Sequence, residues 1–280
     1  MHTVISKDGT PIAYDKVGEG PALILVGGSF QYRSLDQRTG QLAGLLGNSF
    51  MTFQYDRRGS GDSCDTPPYA VEREIEDIEA LITEAGGSAF VFGHSSGAVL
   101  ALEAAQKIAG KITKLALYEP PFIVGNSRPS LPEDYLAHLK DLVESDRCGD
   151  AVDYFMTKVK GMPQEMVPVL HQMPVWDEFT SVAHTLVYEG VLMGASQSGD
   201  PAQLEQWASV QVPTLIADGE VSPKWMREAT QALANVLPHA QNRTLPGQSH
   251  GVDPDVLAPV LVEFFSGQSY YKSGKEYYLS

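Results

Sequence analysis

Residues 89–97 read Ala89-Phe90-Val91-Phe92-Gly93-His94-Ser95-Ser96-Gly97, an apolar run that leads into a turn and then into an Ala- and Leu-rich stretch. Glycines two positions before and two after Ser95 allow a sharp, strained strand-to-helix corner, and such a corner holds a serine Oγ above the edge of a sheet. A G-x-S-x-G match is loose by itself. A preceding strand and a following helix, here over residues 96–109, turn it into the signature of a nucleophile elbow. Phosphate cradles at helix N-termini carry other patterns, and neither G-x-x-x-x-G-K-[ST] nor G-x-G-x-x-G occurs in the chain.

Working outward, Ala22–Val26 is a continuous apolar run stopped by Gly27-Gly28, as expected of a strand buried on both faces. Residues 50–55 and 115–118 read as further strands, and residues 4–6 and 12–16, joined by a turn at Asp8-Gly9, as an antiparallel start. Over residues 71–84, Ile75, Ile78, Leu81 and Ile82 share one helical face, while Glu72, Glu74, Glu76, Asp77 and Glu79 read as its solvated side. Alternating buried strands and helices predict a parallel sheet with right-handed crossovers. That pattern stops between 126 and 209, where helical segments near 133–144, 150–159, 164–172 and 175–193 are separated by Gly and Pro. It resumes with a strand at 214–217, a helix at 223–237, a strand at 241–245 and a helix at 254–265. The expected organisation is an α/β core over 1–125 and 210–266, a helical cap over 126–209, and a Tyr-rich tail over 267–280 without an assigned role.

Composition narrows the function classes. The chain of 280 residues carries 20 Lys plus Arg against 35 Asp plus Glu, and a net charge of -15 repels nucleic acid and anionic lipid surfaces. The start, MHTVISKDGTP, lacks a basic segment followed by an apolar one, and no apolar run approaches the ~18 residues of a membrane span. Cys64 and Cys148 could form at most one bridge and have no zinc-like spacing, which points to a reducing, cytoplasmic setting. No histidine pair has metal-ligand spacing, so no metal or other cofactor is expected. The oligomeric state is left open.

These features together resemble the α/β-hydrolase superfamily, in particular its serine-nucleophile members with a helical cap after the sixth strand. The resemblance rests on Gly93-His94-Ser95-Ser96-Gly97, on Asp56-Arg57-Arg58-Gly59-Ser60-Gly61-Asp62-Ser63, and on Gly247-Gln248-Ser249-His250 after the last strand. It implies an α/β-hydrolase fold, a mostly parallel twisted sheet flanked by helices, with a largely architectural Asp56 segment. Ser95 is then the nucleophile. An alcohol needs a base within hydrogen-bond reach, and the resemblance implies His250 for that role. His94 belongs to the elbow and is expected to point away from the Ser95 hydroxyl; His138, His171 and His184 lie in the helical insertion, and His2 and His239 read as surface residues.

The acid of the triad departs from the family pattern. Relatives carry an Asp in a segment like G-E-x-D, whereas this chain reads Gly219-Glu220-Val221-Ser222. Some relatives supply the acid from the end of the sixth strand, where Glu119 stands here, so Glu119 is the expected acid with Asp218 and Glu220 as alternatives. A tetrahedral oxyanion needs two N–H donors. Ser96 N–H at the helix start and Gly28 N–H are expected to supply them, with Ser29 N–H as the other candidate. Ser29, Phe30, Met156, Trp176 and Phe179 are expected to line the pocket, whose cap shows no cluster of Arg or Lys and so suits an uncharged hydrophobic small molecule. The expected activity is cofactor-independent hydrolysis of a carboxylic ester, lactone or thioester through an acyl-enzyme, of the EC 3.1 class. Two other readings are a cofactor-free lyase, cyclase or oxygenase using the same Ser and His, and a non-catalytic ligand-binding protein.

Overall fold

The structure, a computed structural model, describes residues 1–267. Apart from Gly267, the tail expected at 267–280 lies outside the described residues. The chain begins with β1 (His2–Ile5), β2 (Pro11–Val17) and β3 (Ala22–Val26), then α1 (Gln37–Leu46), β4 (Met51–Tyr55), α2 (Val71–Glu84), β5 (Ala89–His94), α3 (Ser96–Lys107) and β6 (Ile112–Tyr118). Five helices follow: α4 (Tyr135–Glu144), α5 (Cys148–Lys158), α6 (Val167–Leu170), α7 (Trp176–Ser181) and α8 (Thr185–Met193). The core closes with β7 (Thr214–Gly219), α9 (Lys224–Val236), β8 (Ala240–Leu245) and α10 (Pro254–Ser266).

The eight strands form one sheet in the order β1-β2-β4-β3-β5-β6-β7-β8; β1 and β2 pair antiparallel, and the rest of the sheet from β4 onward is parallel. This is the α/β-hydrolase fold. In β3, Ala22, Ile24 and Val26 pack with α2, α3 and α9 on one face, while Leu23 and Leu25 pack with α1 and α10 on the other. The unbroken apolar run is therefore a strand covered on both sides. The carboxyl ends of β3, β5, β6 and β7 open toward the helices of residues 135–193, which hold their own apolar cluster around Leu139, Val152, Phe155 and Leu186.

Three sequence readings need correction. Helix α1 was not expected: Gly40 and Gly44 weaken its pattern, and Asp36, accepting the N–H groups of Arg38 and Thr39, starts it. The single helix expected at 175–193 is two, α7 and α8, broken at 182–184. The acids of α2 are not all solvated. Glu74 and Asp77 are buried, each held by a guanidinium from the segment after β4: Arg57 with Glu74 at 2.6 Å and Arg58 with Asp77 at 2.7 Å. Periodicity treats a buried carboxylate as an exposed one because it cannot see a cation arriving from 17 or 19 residues away.

Arg57 also reaches the cap, donating from Nη1 to Glu189 of α8 at 2.6 Å. Tyr32 O–H donates to Glu178 of α7 at 2.6 Å, and Tyr188 O–H of α8 donates to Asp65. Polar bonds from two loops, those after β3 and β4, thus tie α7 and α8 to the core. Asp56 binds Arg33 and the N–H of Asp62, an architectural use of the segment. Cys64 and Cys148 are free thiols, and among the described residues no helix is long and apolar enough to cross a membrane.

Candidate active site

Strand β5 ends one residue before Ser95, whose backbone sits at φ 57° and ψ -128°. A left-handed φ at a serine costs about 1–3 kcal/mol and is kept only where the surroundings enforce it. They do so here through Gly93 and Gly97. A Cβ on Gly93 would lie 2.4 Å from Gly97 O, and one on Gly97 would lie 2.3 Å from Val26 O. The corner is closed too tightly for any other residue.

His250 arrives from the loop between β8 and α10. Its Nε2 lies 3.1 Å from Ser95 Oγ and its Nδ1 lies 2.7 Å from Glu119 Oε2. Because a carboxylate only accepts, Nδ1 carries the proton and the Nε2 lone pair faces the serine hydroxyl. Glu119 is fully buried, follows β6 at φ 46°, and spends its other oxygen on Gly219 N–H at 2.8 Å. The other carboxylates lie elsewhere: Asp218 accepts from Thr230 Oγ1 at 2.7 Å, and Glu220 accepts from Gly247 N–H at 2.9 Å. Neither hydrogen-bonds His250. Ser222, where relatives carry an Asp, is buried, and its hydroxyl has no protein partner among the described residues.

The loop carrying His250 is pinned by residues that sequence reasoning missed. Tyr118 O–H donates to Ser249 O at 2.7 Å, and Arg38 Nη1 donates to Gly251 O at 2.7 Å. His94 Nε2 lies 2.9 Å from His250 O, so this ring, which forms no hydrogen bond to Ser95, holds the His250 backbone from behind. No sequence pattern marks these three, because each acts through a backbone carbonyl over a long chain separation.

The expected oxyanion donors are placed unequally. Ser96 N–H, at the start of α3, has no acceptor within the described protein. Gly28 packs directly against Ser95, a Cβ on it lying 2.9 Å from Ser95 Cβ, but its N–H donates to Gln31 Oε1 at 2.6 Å. Ser29, the other candidate, lines the cavity at Ser95, and its N–H donates to Ser96 Oγ at 3.1 Å. A hydroxyl acceptor can rotate aside, whereas the Gln31 side chain is held by the hydrogen bond that its Nε2 donates to Asp36 Oδ2 at 3.0 Å.

Ser95 and His250 open onto a cavity of about 750 Å³ between core and cap. Of the residues expected to line it, Ser29 does, but Phe30, Met156, Trp176 and Phe179 do not. Phe30 stacks on Phe179 at 4.3 Å and meets Phe155 edge-on, while Met156 and Trp176 pack against the cap cluster. They fill the cap interior, as Met and aromatic residues on facing helices usually do. The apolar wall comes instead from Leu131, Tyr135, Phe155, Met193, Trp225 and Met226. Arg128, Lys158 and Lys160 also line it, against one carboxylate, Glu189, so the cap does present basic groups to its pocket.

Residues 23–260 match the model of the alpha/beta hydrolase family. The chain belongs to that family. A solved relative, an alpha/beta hydrolase from Sphaerobacter thermophilus, is 49% identical with a TM-score of 0.83, covering 94% of this chain and 100% of its own. Among curated proteins, the N-formylmaleamate deformylase of Pseudomonas putida is 36% identical over 118 residues; that stretch is 41% of this chain and 42% of the deformylase, less than half its length. The enol-lactonase of Burkholderia xenovorans LB400, at 21% identity and a TM-score of 0.68 over 95% of this alpha/beta hydrolase and all of its own chain, shares the fold.

Proposed function

We propose that this member of the family is a cofactor-independent serine hydrolase acting on a carboxylic ester, lactone or thioester of a small molecule. The observation that carries the reading is the chain of contacts Ser95 Oγ, His250 Nε2, His250 Nδ1 and Glu119 Oε2, at 3.1 and 2.7 Å, opening on a cavity. Ser95 Oγ attacks the carbonyl carbon as its proton passes to His250 Nε2. The imidazolium so formed is stabilised by the Glu119 carboxylate, which stays ionised. Ser96 N–H and Ser29 N–H hold the oxyanion. Collapse breaks the bond to the alkoxide or thiolate, which takes the proton from Nε2 and leaves. A water gives its proton to the same nitrogen, attacks the acyl carbon, and the acid departs with Ser95 restored. The deformylase among the relatives also acts on an acyl carbon, and this supports the same chemistry here.

A lyase or oxygenase reading would be favoured by a triad without its acid, as Ser222 in place of an Asp suggests, and the Glu119 contact with His250 speaks against it. A fluorophosphonate probe tests the proposal: it labels Ser95 in the folded protein, and labelling disappears in Ser95→Ala and falls sharply in His250→Ala. An unlabelled wild type, or Ser95→Ala turning over aryl esters at the wild-type rate, overturns it.

A further inference from the structure

The chain is strongly acidic, yet its main cavity is lined by three basic residues and one carboxylate. That carboxylate, Glu189, is already committed to Arg57 at 2.6 Å. Among the described residues, neither Arg128 nor Lys160 forms an ion pair with any acid. Lys160 lines the cavity and is exposed to solvent, with its ammonium 5.6 Å from the centre of the Phe155 ring. Arg128 lies with its guanidinium carbon 4.4 Å from the centre of the Trp225 ring. Its Nη2 donates to Lys158 O at 2.9 Å and to Val159 O, so the guanidinium is fixed from one side by the backbone that leads to Lys160.

Two like charges held near each other in a partly desolvated wall repel one another and lose hydration. Burial lowers the affinity of both for their protons; at Lys160 the Glu189 carboxylate opposes that shift and Arg128 adds a smaller push in the same direction as burial. Such an arrangement persists where an anion completes it. A guanidinium set over an aromatic ring and anchored through one nitrogen leaves its other N–H groups for an acceptor, and an ammonium in the same wall supplies a second, rotatable donor.

We infer that Arg128 and Lys160 form a carboxylate-binding subsite in the cavity of Ser95, so that the preferred substrate is an ester, lactone or thioester carrying a second, ionised carboxyl group. This rests on the proposed hydrolase reading for the reaction but not for the binding. The apolar wall of Phe155, Met193 and Trp225 takes the carbon skeleton between the two ends. A carboxylate fits better than a phosphate dianion, because Arg128 has already spent part of its donor set on two carbonyls.

Two measurements separate the subsite from the reaction. Calorimetry with adipate reads binding without turnover: wild type binds adipate more tightly than inorganic phosphate, Lys160→Met and Arg128→Gln each weaken it about 10- to 100-fold, and Lys160→Arg restores most of it. Hydrolysis of the 4-nitrophenyl monoester of adipic acid is then compared with that of 4-nitrophenyl methyl adipate, its neutral counterpart. The variants raise KM for the monoester by a similar factor while leaving kcat for both esters and KM for the neutral ester within about twofold. The Lys160 ammonium makes no hydrogen bond within the described protein, and the backbone N–H bond of Lys160 to Phe155 O does not depend on the side chain, so Lys160→Met keeps the wild-type melting temperature even if Arg128→Gln does not. Adipate binding unchanged in Lys160→Met, phosphate bound more tightly than adipate, or equal KM for the two esters in wild type overturns the subsite. Intact adipate binding with no labelling of Ser95 would instead count against the hydrolase reading alone.

Discussion

Glu119 Oε2 lies 2.7 Å from His250 Nδ1 across 131 residues of chain, and the other oxygen of the same carboxylate takes the N–H of Gly219, the last residue of β7. One acid from the end of β6 thus orients the imidazole and clamps the neighbouring strand. The segment after β7, where relatives carry the acid, is left with the uncharged Ser222.

From this relationship, Glu119→Gln is expected to lower kcat by about 10⁴-fold, since an amide cannot hold the Nδ1–H tautomer or stabilise the imidazolium. Asp218→Asn and Glu220→Gln are expected to retain kcat, with Asp218→Asn losing some stability through its bond to Thr230. Steady-state kinetics of the three purified variants check this; equal losses in all three would remove Glu119 from its role.

Ser96→Ala keeps the main-chain donor at the start of α3 and releases Ser29 N–H from its side-chain acceptor. Its kcat/KM is expected to stay within about tenfold of wild type, the scale of one neutral hydrogen bond. Loss of an oxyanion donor costs about 10²- to 10³-fold instead. Aryl-ester kinetics distinguish the two, and a loss in the larger range would mean that the Ser96 hydroxyl itself takes part.

Arg57 holds Glu74 through two nitrogens and Glu189 through a third, all buried. Replacing it with Met leaves two buried acids, Glu74 and Glu189, without their cation, and a loss of about 3–5 kcal/mol in urea unfolding is expected. Burial raises the Glu74 carboxyl, but the Arg57 guanidinium outweighs it and leaves the group below its ordinary value. The sign follows: this stabilisation is present above the unfolded carboxylate value of about 4.3 and is lost as pH falls through the lowered folded value. The gap between wild type and Arg57→Met should therefore narrow toward pH 3. A constant gap from pH 7 to pH 3 would contradict it.

Burial, with Arg128 adding to it and Glu189 opposing, lowers the Lys160 ammonium from the ordinary lysine value. The groups facing it in the cavity wall are Arg128, Lys158, Glu189 and His250. Its charge is then lost at a lower pH than that of a free lysine, so adipate affinity should fall as pH rises through that lowered value, toward the affinity of Lys160→Met. Lys160→Arg, charged throughout, should show no such limb. Calorimetric titrations between pH 7 and pH 10 give the comparison.

The order of the strands, most of the helices, the strand-to-helix corner and the serine on it could be read from the chain because each rests on local spacing, whereas α1 and the break between α7 and α8 could not. A run buried on both faces, a glycine on each side of a tight turn and a helix face repeating every three or four residues are all set within a few positions. Glu74 and Asp77 escaped that reading, as did Tyr118, Arg38 and His94, since their partners come from other elements. Which carboxylate meets His250, which backbone N–H is left unused and which side chains of the cap face the cavity depend on how β6, β7 and the cap are stacked. Met156, Trp176 and Phe179 have the composition of a pocket wall and the position of a helix interface, while Arg128 and Lys160, unremarkable in the sequence, are brought to the cavity together by packing alone.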